Sequence, residues 1–99
     1  MNVIWAKSAK THLDGIYNYI ALDSVYYAKN VIDRITSRSK QIAGMPFSGR
    51  KVPEFDDDQI REVIESPYRI IYRIKEERIE VVAVVHGARF LGGKISGAI

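Results

Sequence analysis

The sequence predicts an α+β fold in which an N-terminal strand and two antiparallel helices pack on a small antiparallel sheet. Two observations predict it. Apolar residues recur at helical spacing in two neighbouring stretches of the first half, 13–20 and 28–42. Three stretches of the second half, 60–64, 68–74 and 78–86, have the composition of strands and are separated by short turns. The expected order of elements is therefore β-α-α-β-β-β.

Composition limits the chain to one small domain. It has 99 residues, of which 46% are hydrophobic, and no cysteine, which fits a globular protein without disulfides or zinc–thiolate sites. We expect the domain to span 1–91 and 92–99, with its three glycines, to form a short flexible tail. No apolar run reaches the roughly 20 residues of a membrane-spanning helix, and the N-terminus lacks signal-peptide order. We therefore expect a cytoplasmic protein without membrane contact.

The first half is expected to begin with a strand over residues 2–6 and to continue as a helix. Ser8 is the predicted N-cap, because its hydroxyl can accept a hydrogen bond from an unpaired N–H of the first turn. The apolar face of this helix carries Leu13, Ile16, Tyr17 and Ile20. His12 belongs to the same helix and is expected at its surface.

A second helix is predicted over residues 25–43, with Asp23 or Ser24 as its N-cap. Its apolar stripe consists of Ala28, Val31, Ile32, Ile35 and Ile42. Gly44 is well placed to end the helix, and Pro46 prevents its continuation. Because so few residues join the two helices, we expect them to form an antiparallel hairpin.

Residues 45–59 are expected to form a loop, since they contain two prolines, a glycine and a cluster of acids. These acids are Glu54, Asp56, Asp57 and Asp58. Their spacing matches no calcium-binding loop, and we expect them to be solvated. Without these four negative charges the remaining chain would carry +7, against +3 for the whole chain, so the body of the domain favours anionic partners.

Side chains of the strand 68–74 alternate between the two faces of the sheet. The face expected to pack on the helices carries Ile70, Tyr72 and Ile74. The opposite and more exposed face carries Arg69, Ile71 and Arg73. The last strand, 78–86, is apolar on both faces, which predicts a central strand that is covered on both sides.

Basic residues near the sheet are the candidates for target binding. Guanidinium groups on neighbouring strands can converge, and they bind phosphate or carboxylate in a bidentate manner. The candidates are Arg50, Lys51, Arg61, Arg69, Arg73 and Arg89. In the alternative interpretation they form ordinary surface salt bridges with Glu54, Glu62, Glu76 or Glu80.

His86 is the candidate for acid–base chemistry, because imidazole titrates near neutral pH. In the alternative interpretation His86 caps the edge of the sheet through a backbone hydrogen bond. No phosphate-binding loop, zinc-hydrolase or serine-hydrolase motif is present, and we expect neither a metal ion nor a cofactor.

Over nearly its whole length the chain resembles the ParE/RelE superfamily of bacterial toxins from type II toxin–antitoxin modules, which are also called plasmid stabilization proteins. The segments that carry the resemblance are "PFSGRKVPE", "IREVIESPYRIIYRI" and "VVHGAR", in this order and spacing. The resemblance implies a helix hairpin on a small antiparallel sheet. It also implies a cognate acidic antitoxin that folds on binding, and hence a toxin–antitoxin hetero-oligomer.

The superfamily divides in function. RelE-like members are ribosome-dependent mRNA endonucleases, whereas ParE-like members poison DNA gyrase. Arg69 and Arg89 match arginines of the nuclease branch. The lysine positions of that branch are Ile60 and Glu62 here, and the place of its acid–base tyrosine falls near Ile95.

The segments "HGAR" and "GRKVPE" are instead typical of the ParE branch. The resemblance therefore favours a toxin that binds gyrase and is not an enzyme. The alternative is a RelE-like endonuclease that acts on mRNA at the ribosome, with His86 in place of a missing acid–base group.

Overall fold

The computed structural model describes residues 1–87. Its regular elements follow the predicted order, with one short strand added. They are β1 (Asn2–Trp5), α1 (Lys7–Ala21), α2 (Val25–Gln41), β2 (Arg50–Lys51), β3 (Ile60–Glu65), β4 (Tyr68–Ile74) and β5 (Arg78–His86). The predicted α+β fold with a helix hairpin is thus confirmed. The proposed tail 92–99 and Arg89 lie outside the described residues.

Within residues 1–87 the strands form one sheet in the order β1-β5-β4-β3-β2. The pairs β5–β4, β4–β3 and β3–β2 are antiparallel, whereas β1 pairs with β5 in parallel, with Val3 opposite Ile79. The sheet is therefore mixed, and the prediction of an antiparallel sheet was wrong at this edge. A parallel pair requires a long crossover, and the helix hairpin is part of the connection between β1 and the rest of the sheet.

Only one of the two predicted helix caps is present. Ser24 accepts a hydrogen bond from the Tyr27 N–H at 3.1 Å and caps α2 as expected. The N-cap position of α1 is Ala6, without a side-chain cap. The Ser8 hydroxyl instead donates to the carbonyl of Val82 at 2.8 Å. The Ser8 prediction was wrong because a tertiary partner on β5 takes the hydroxyl.

The N-terminal half of α1 covers the side of β5 beyond the end of β1. The Ala6 N–H donates to the Val81 carbonyl at 2.9 Å, and the Val84 N–H donates to His12 Nδ1 at 3.2 Å. His12 is half-buried rather than a surface residue. These bonds satisfy backbone groups of β5 that β1 is too short to reach.

The C-terminal end of α2 differs slightly from the prediction. The helix ends at Gln41, and one turn of 3-10 helix, Ile42–Gly44, follows it. A second such turn, Pro46–Ser48, leads to β2. Helices commonly tighten in this way where the last carbonyls lack α-helical partners.

Two apolar cores lie on opposite faces of the sheet. The helix face buries residues of both helices against the sheet, among them Ala9, Val31, Ile35, Ile70, Tyr72, Ile79 and Val81. The other face, which we call the loop face, buries Val52, Ile60, Ile71, Val82, Ala83 and Val85, with Phe55 packed against them. The segment between β2 and β3 supplies Val52 and Phe55 and so covers this face. β5 has neighbours on both sides and is buried from Ile79 to Val85 except at half-buried Glu80, as predicted.

Candidate functional site

The strand register distributes the candidate basic residues over both faces of the sheet. Arg50 lies opposite Glu62, which lies opposite Ile71, so Arg50 is on the loop face. Lys51 lies opposite Arg61, which lies opposite Tyr72 on the helix face. The structure therefore does not gather Arg50, Lys51, Arg61, Arg69 and Arg73 in a single concave site.

Arg69 is the centre of a buried ion network on the loop face. Its Nη1 and Nη2 donate to the two carboxylate oxygens of Glu54 at 2.8 and 2.7 Å, and its Nε donates to Glu62 Oε1 at 2.6 Å. The second oxygen of Glu62 accepts a hydrogen bond from Arg50 Nε. The ion network thus joins Glu54, Arg69, Glu62 and Arg50 in alternating charge.

Burial makes this ion network different from a surface salt bridge. Arg69 is 4% exposed and Glu62 is 1% exposed, so each charge depends on its partners for solvation. Hydrogen bonds from the Arg69 guanidinium to Glu54, and then to Glu62, raise the arginine pKa further and keep the charge in place. The predicted exposure of this face was wrong at Arg69, because the loop that carries Glu54 folds over it.

The acids of the loop differ in burial. Glu54 is held by Arg69 and was wrongly predicted to be solvated, since its side chain is only 9% exposed. Asp58 is exposed as expected and accepts a hydrogen bond from Lys51 at 2.8 Å. That hydrogen bond lowers the pKa of Asp58 and raises the pKa of Lys51. Sequence order alone does not distinguish the buried acid from the exposed ones.

Arg50 is the member of the ion network that reaches solvent. Its side chain is 62% exposed, while its Nε is held by buried Glu62. Because the Nε is engaged, the guanidinium is oriented with one edge towards the protein. A guanidinium fixed in this way can bind a carboxylate or phosphate with less loss of side-chain entropy.

Arg61 lies on the helix face, beside the short turn before β2. Its Nε donates to the Asp58 carbonyl at 2.9 Å and its Nη1 to the Gly49 carbonyl at 3.3 Å. The guanidinium carbon lies 5.1 Å from the centre of the Phe47 ring, within the range of a cation–π contact. Arg61 therefore fastens this turn to the sheet as well as contributing positive charge.

Two further candidates lie elsewhere on the sheet. Arg73 is half-buried between Ile60 and Glu80 on the neighbouring strands, and its buried Nε has no hydrogen-bond partner among residues 1–87. His86 is exposed at the end of β5, with its ring edge-on to Tyr68 at a centroid distance of 6.1 Å. His86 therefore lies next to the first residue of β4, and its predicted roles remain untested.

A groove lies between β1 and the helix hairpin. Its volume is about 620 Å³, and it is lined by Val3, Ile4, Trp5, Lys10, Leu13, Asp14 and Thr36. β1 pairs only with β5 among the described strands, so its other side presents backbone groups towards this groove. An apolar groove beside an unpaired strand edge can bind an extended or helical peptide segment.

The alternative interpretation, in which the arginines pair with glutamates, holds for Arg69 with Glu54 and Glu62 and for Arg50 with Glu62. Charges on adjacent antiparallel strands commonly pair, as Glu62 of β3 and Arg69 of β4 do. The sequence did not predict that Arg69, Glu54 and Glu62 are buried, because their burial depends on the path of the loop. Within residues 1–87 no three His, Asp or Glu side chains are grouped so as to hold a metal ion. No helix of that region is long and apolar enough to cross a membrane.

Comparison with known proteins gives one family match. A model of the ParE toxin of type II toxin–antitoxin systems (parDE) matches residues 3–90. No curated protein sequence matches the chain significantly.

Solved structures match over most of the chain. One is from the chromosomal ParDE toxin–antitoxin system of P. aeruginosa, with a TM-score of 0.73 and 22% identity, covering 87% of this chain and 95% of that one. A YoeB/ParE toxin from Agrobacterium tumefaciens has a TM-score of 0.60 and 17% identity, covering 87% and 98%. The YoeB dimer from Staphylococcus aureus has a TM-score of 0.58 and 15% identity, covering 84% and 92%. At these identities the likeness concerns the fold.

Proposed function

The chain belongs to the ParE toxin family of type II toxin–antitoxin systems, and from this premise we propose that it inhibits DNA gyrase and does not cleave RNA. Membership of the family implies an antitoxin partner. The choice of gyrase as the target rests on the sequence segments "GRKVPE" and "HGAR". It rests also on the pairing of buried Arg69 with two carboxylates.

The observation that carries the proposal is the neutralisation of Arg69. A site that cleaves a phosphodiester needs cationic groups directed at the charge that develops on the phosphate. In this protein both Nη groups of Arg69 are held by Glu54 and its Nε by Glu62, and the residue is buried. A phosphate would have to displace two carboxylates to reach this guanidinium.

The positions at which the nuclease branch has lysines support the same proposal. Ile60 and Glu62 are both buried, and Glu62 brings a negative charge to the place where a cleavage site would need a positive one. Electrostatic repulsion between a buried carboxylate and a phosphate opposes catalysis of phosphoryl chemistry. The loop face is therefore better suited to anchoring the loop than to stabilising a transition state.

We propose the groove beside β1 as the main docking site of the antitoxin. Trp5 and Leu13 supply apolar contact area, Lys10 supplies a positive charge, and the free side of β1 supplies backbone donors and acceptors. An acidic segment that is disordered alone and folds on binding suits such a groove. The resulting complex is the toxin–antitoxin hetero-oligomer.

A supercoiling assay tests the proposed target. Purified toxin is added to DNA gyrase and relaxed plasmid, and we expect loss of supercoiling at stoichiometric excess of toxin. Inhibition by wild type should be relieved when the antitoxin is added first. Unchanged supercoiling at all toxin concentrations would overturn the gyrase proposal.

A second assay tests whether the toxin causes cleavage of mRNA. Primer extension on a translated mRNA, after expression of the toxin, reports ribosome-dependent cleavage. We expect intact transcripts during growth arrest. Cleavage products that require translation would instead assign the chain to the RelE-like activity, with Arg69 released from its carboxylates on the ribosome.

A further inference from the structure

The turn between α1 and α2 carries an exposed apolar surface that the proposed function has not used. Tyr19, Leu22 and Tyr26 are 79%, 87% and 78% exposed, and two more large side chains there are at least half exposed. We call this surface the hairpin tip; it consists of Tyr19, Leu22, Val25, Tyr26 and Tyr27. Five such residues within nine positions are unusual in a solvated turn, where polar residues prevail.

From its exposure, charge and position we infer that the hairpin tip is the surface by which this toxin binds its protein target, through an uncharged apolar cleft of that target. The inference rests on the proposed function, which supplies a protein target. The inference goes beyond the proposed function by assigning target contact to a part of the chain outside the candidate arginines and outside the groove beside β1.

The charge of the segment identifies the kind of partner. Residues 15–28 contain no lysine or arginine and a single acid, Asp23, although the whole chain carries +3. Nucleic acid is bound mainly through cations that neutralise phosphates, and an acidic antitoxin segment would likewise seek cations. The tip offers neither of them a partner, so an uncharged protein surface fits it best.

The composition of the tip agrees with a protein interface. Tyrosine is enriched at the buried centres of such interfaces, because the ring buries a large apolar area and the hydroxyl retains a hydrogen bond. Lys29 and Arg34 follow the apolar residues along α2 and are exposed. An apolar centre with a polar border is the usual anatomy of a specific interface.

Residues of the tip act electrostatically on Tyr68, the first residue of β4. Burial raises the pKa of Tyr68 most, Tyr27 raises it further, Arg34 lowers it, and Tyr19 adds the smallest increase. Tyr68 in turn meets the ring of His86 at the end of β5. Tyr68 and His86 are therefore further candidates for the contact surface.

The tip and the groove are separate parts of the helix hairpin. Along α1, Asp14 in the groove precedes Leu22 by about 12 Å at 1.5 Å per residue. Along α2, Thr36 in the groove follows Val25 by about 16 Å on the same measure. A substitution at the tip can therefore affect the target without altering the groove.

The test uses Leu22→Glu and, as a second variant, Tyr26→Ser. Met45→Glu is the matched control, since Met45 is also an apolar side chain, 65% exposed, and lies outside the tip. Each protein is assayed for gyrase supercoiling and for direct binding to purified gyrase without DNA, and its thermal unfolding is recorded. All three positions are exposed, so we expect the variants to unfold near the wild-type temperature.

The expected result is an increase of at least about tenfold in the concentration of Leu22→Glu that half-inhibits gyrase, with a similar loss of binding, as for other central interface residues. Tyr26→Ser should change in the same direction, and Met45→Glu should behave as wild type. Folded tip variants that inhibit as well as wild type would overturn the inference and leave the gyrase proposal standing. If wild type itself does not inhibit gyrase, the gyrase proposal fails first.

Two further outcomes would overturn the inference that the hairpin tip binds the protein target. The tip would be a nucleic-acid surface if wild type bound duplex DNA without gyrase and Leu22→Glu abolished that binding. It would be a contact between two copies of the chain if Leu22→Glu converted a dimer to a monomer with gyrase inhibition unchanged.

Discussion

Different interactions stabilise the packing on the two faces of the sheet, although β4 contributes to both faces. β4 sends Ile70, Tyr72 and Ile74 into an apolar core under the helices. Arg69 and Ile71 point instead into the core of the loop face, where charge is buried. A helix satisfies its own backbone and can offer an apolar stripe to a sheet. A loop of irregular path can also bring a carboxylate such as Glu54 to a buried arginine.

On the loop face, buried Arg69 links the loop to the sheet through its hydrogen bonds to Glu54 and Glu62. Without Arg69, the loop from Lys51 to Ile60 would bring Glu54 against the sheet beside Glu62 with no cation between them. The helix face contains one buried polar group on β4, the Tyr72 hydroxyl, which donates to the Pro46 carbonyl at 2.6 Å and accepts from the Gly49 N–H at 3.2 Å. Substitutions that remove a buried polar group should therefore lower the free energy of unfolding by different amounts on the two faces.

The largest effect is expected for Arg69→Ala on the loop face. It leaves Glu54 and Glu62 buried without their shared cation, and a broken buried ion pair costs about 3–5 kcal/mol. Urea unfolding should show this loss of stability. Because Arg69 is buried, toxicity and antitoxin binding should both fall with the folded fraction of Arg69→Ala.

A triple variant provides the matched control for that experiment. Glu54→Leu, Glu62→Leu and Arg69→Met together remove the buried charges, and apolar replacement of a buried ion network is often neutral or stabilising. We expect the triple variant to be more stable than Arg69→Ala. An Arg69→Ala protein within about 1 kcal/mol of wild type would contradict the role assigned to the ion network.

A smaller effect is expected for Tyr72→Phe on the helix face. The substitution leaves the buried Gly49 N–H and the Pro46 carbonyl without a partner, at a cost of about 1–3 kcal/mol. The ring, which fills the core, is retained. Tyr26→Phe is the control, because the Tyr26 side chain is exposed and its hydroxyl can be replaced by water. Equal stabilities of Tyr72→Phe and wild type in urea unfolding would show that the hydroxyl is dispensable.

Alkaline pH should weaken the helix face in particular. Burial raises the pKa of Tyr72 and of Tyr68 above the ordinary value near 10. The unfolded chain then loses these protons first, so stability is complete below about pH 10 and declines as pH rises towards the folded pKa values. Tyr72→Phe should reduce the slope of stability against pH in this window. An unchanged slope would mean that another group is responsible.

The smallest effect is expected at the exposed pair Lys51–Asp58. The two side chains are 48% and 72% exposed, and surface ion pairs are screened by solvent and salt. Lys51→Ala should leave the urea midpoint unchanged within error at physiological salt. Asp58→Ala should likewise leave the urea midpoint unchanged. A shift as large as that of Tyr72→Phe would place this pair among the residues that hold the loop.

Hydrophobic periodicity was sufficient to predict both helices, because each had to bury a stripe with a period near 3.6 residues. Alternation predicted β4 and assigned Ile70 and Tyr72 to the helix face correctly. Ser24 was a correct cap because its partner, the Tyr27 N–H, is local. Ser8 was not, since its partner Val82 lies 74 residues away along the chain.

The sequence alone was thus sufficient to predict both helices, four of the five strands, their order and the family, because these depend on neighbouring residues or on the spacing of this chain's own motifs. Only the tertiary structure decided that β1 joins the sheet in parallel, that Glu54 captures Arg69, and that the candidate arginines divide between two faces. These outcomes depend on the path of a loop and on strand register. One residue of register reverses the face of a side chain, and residue types do not specify it.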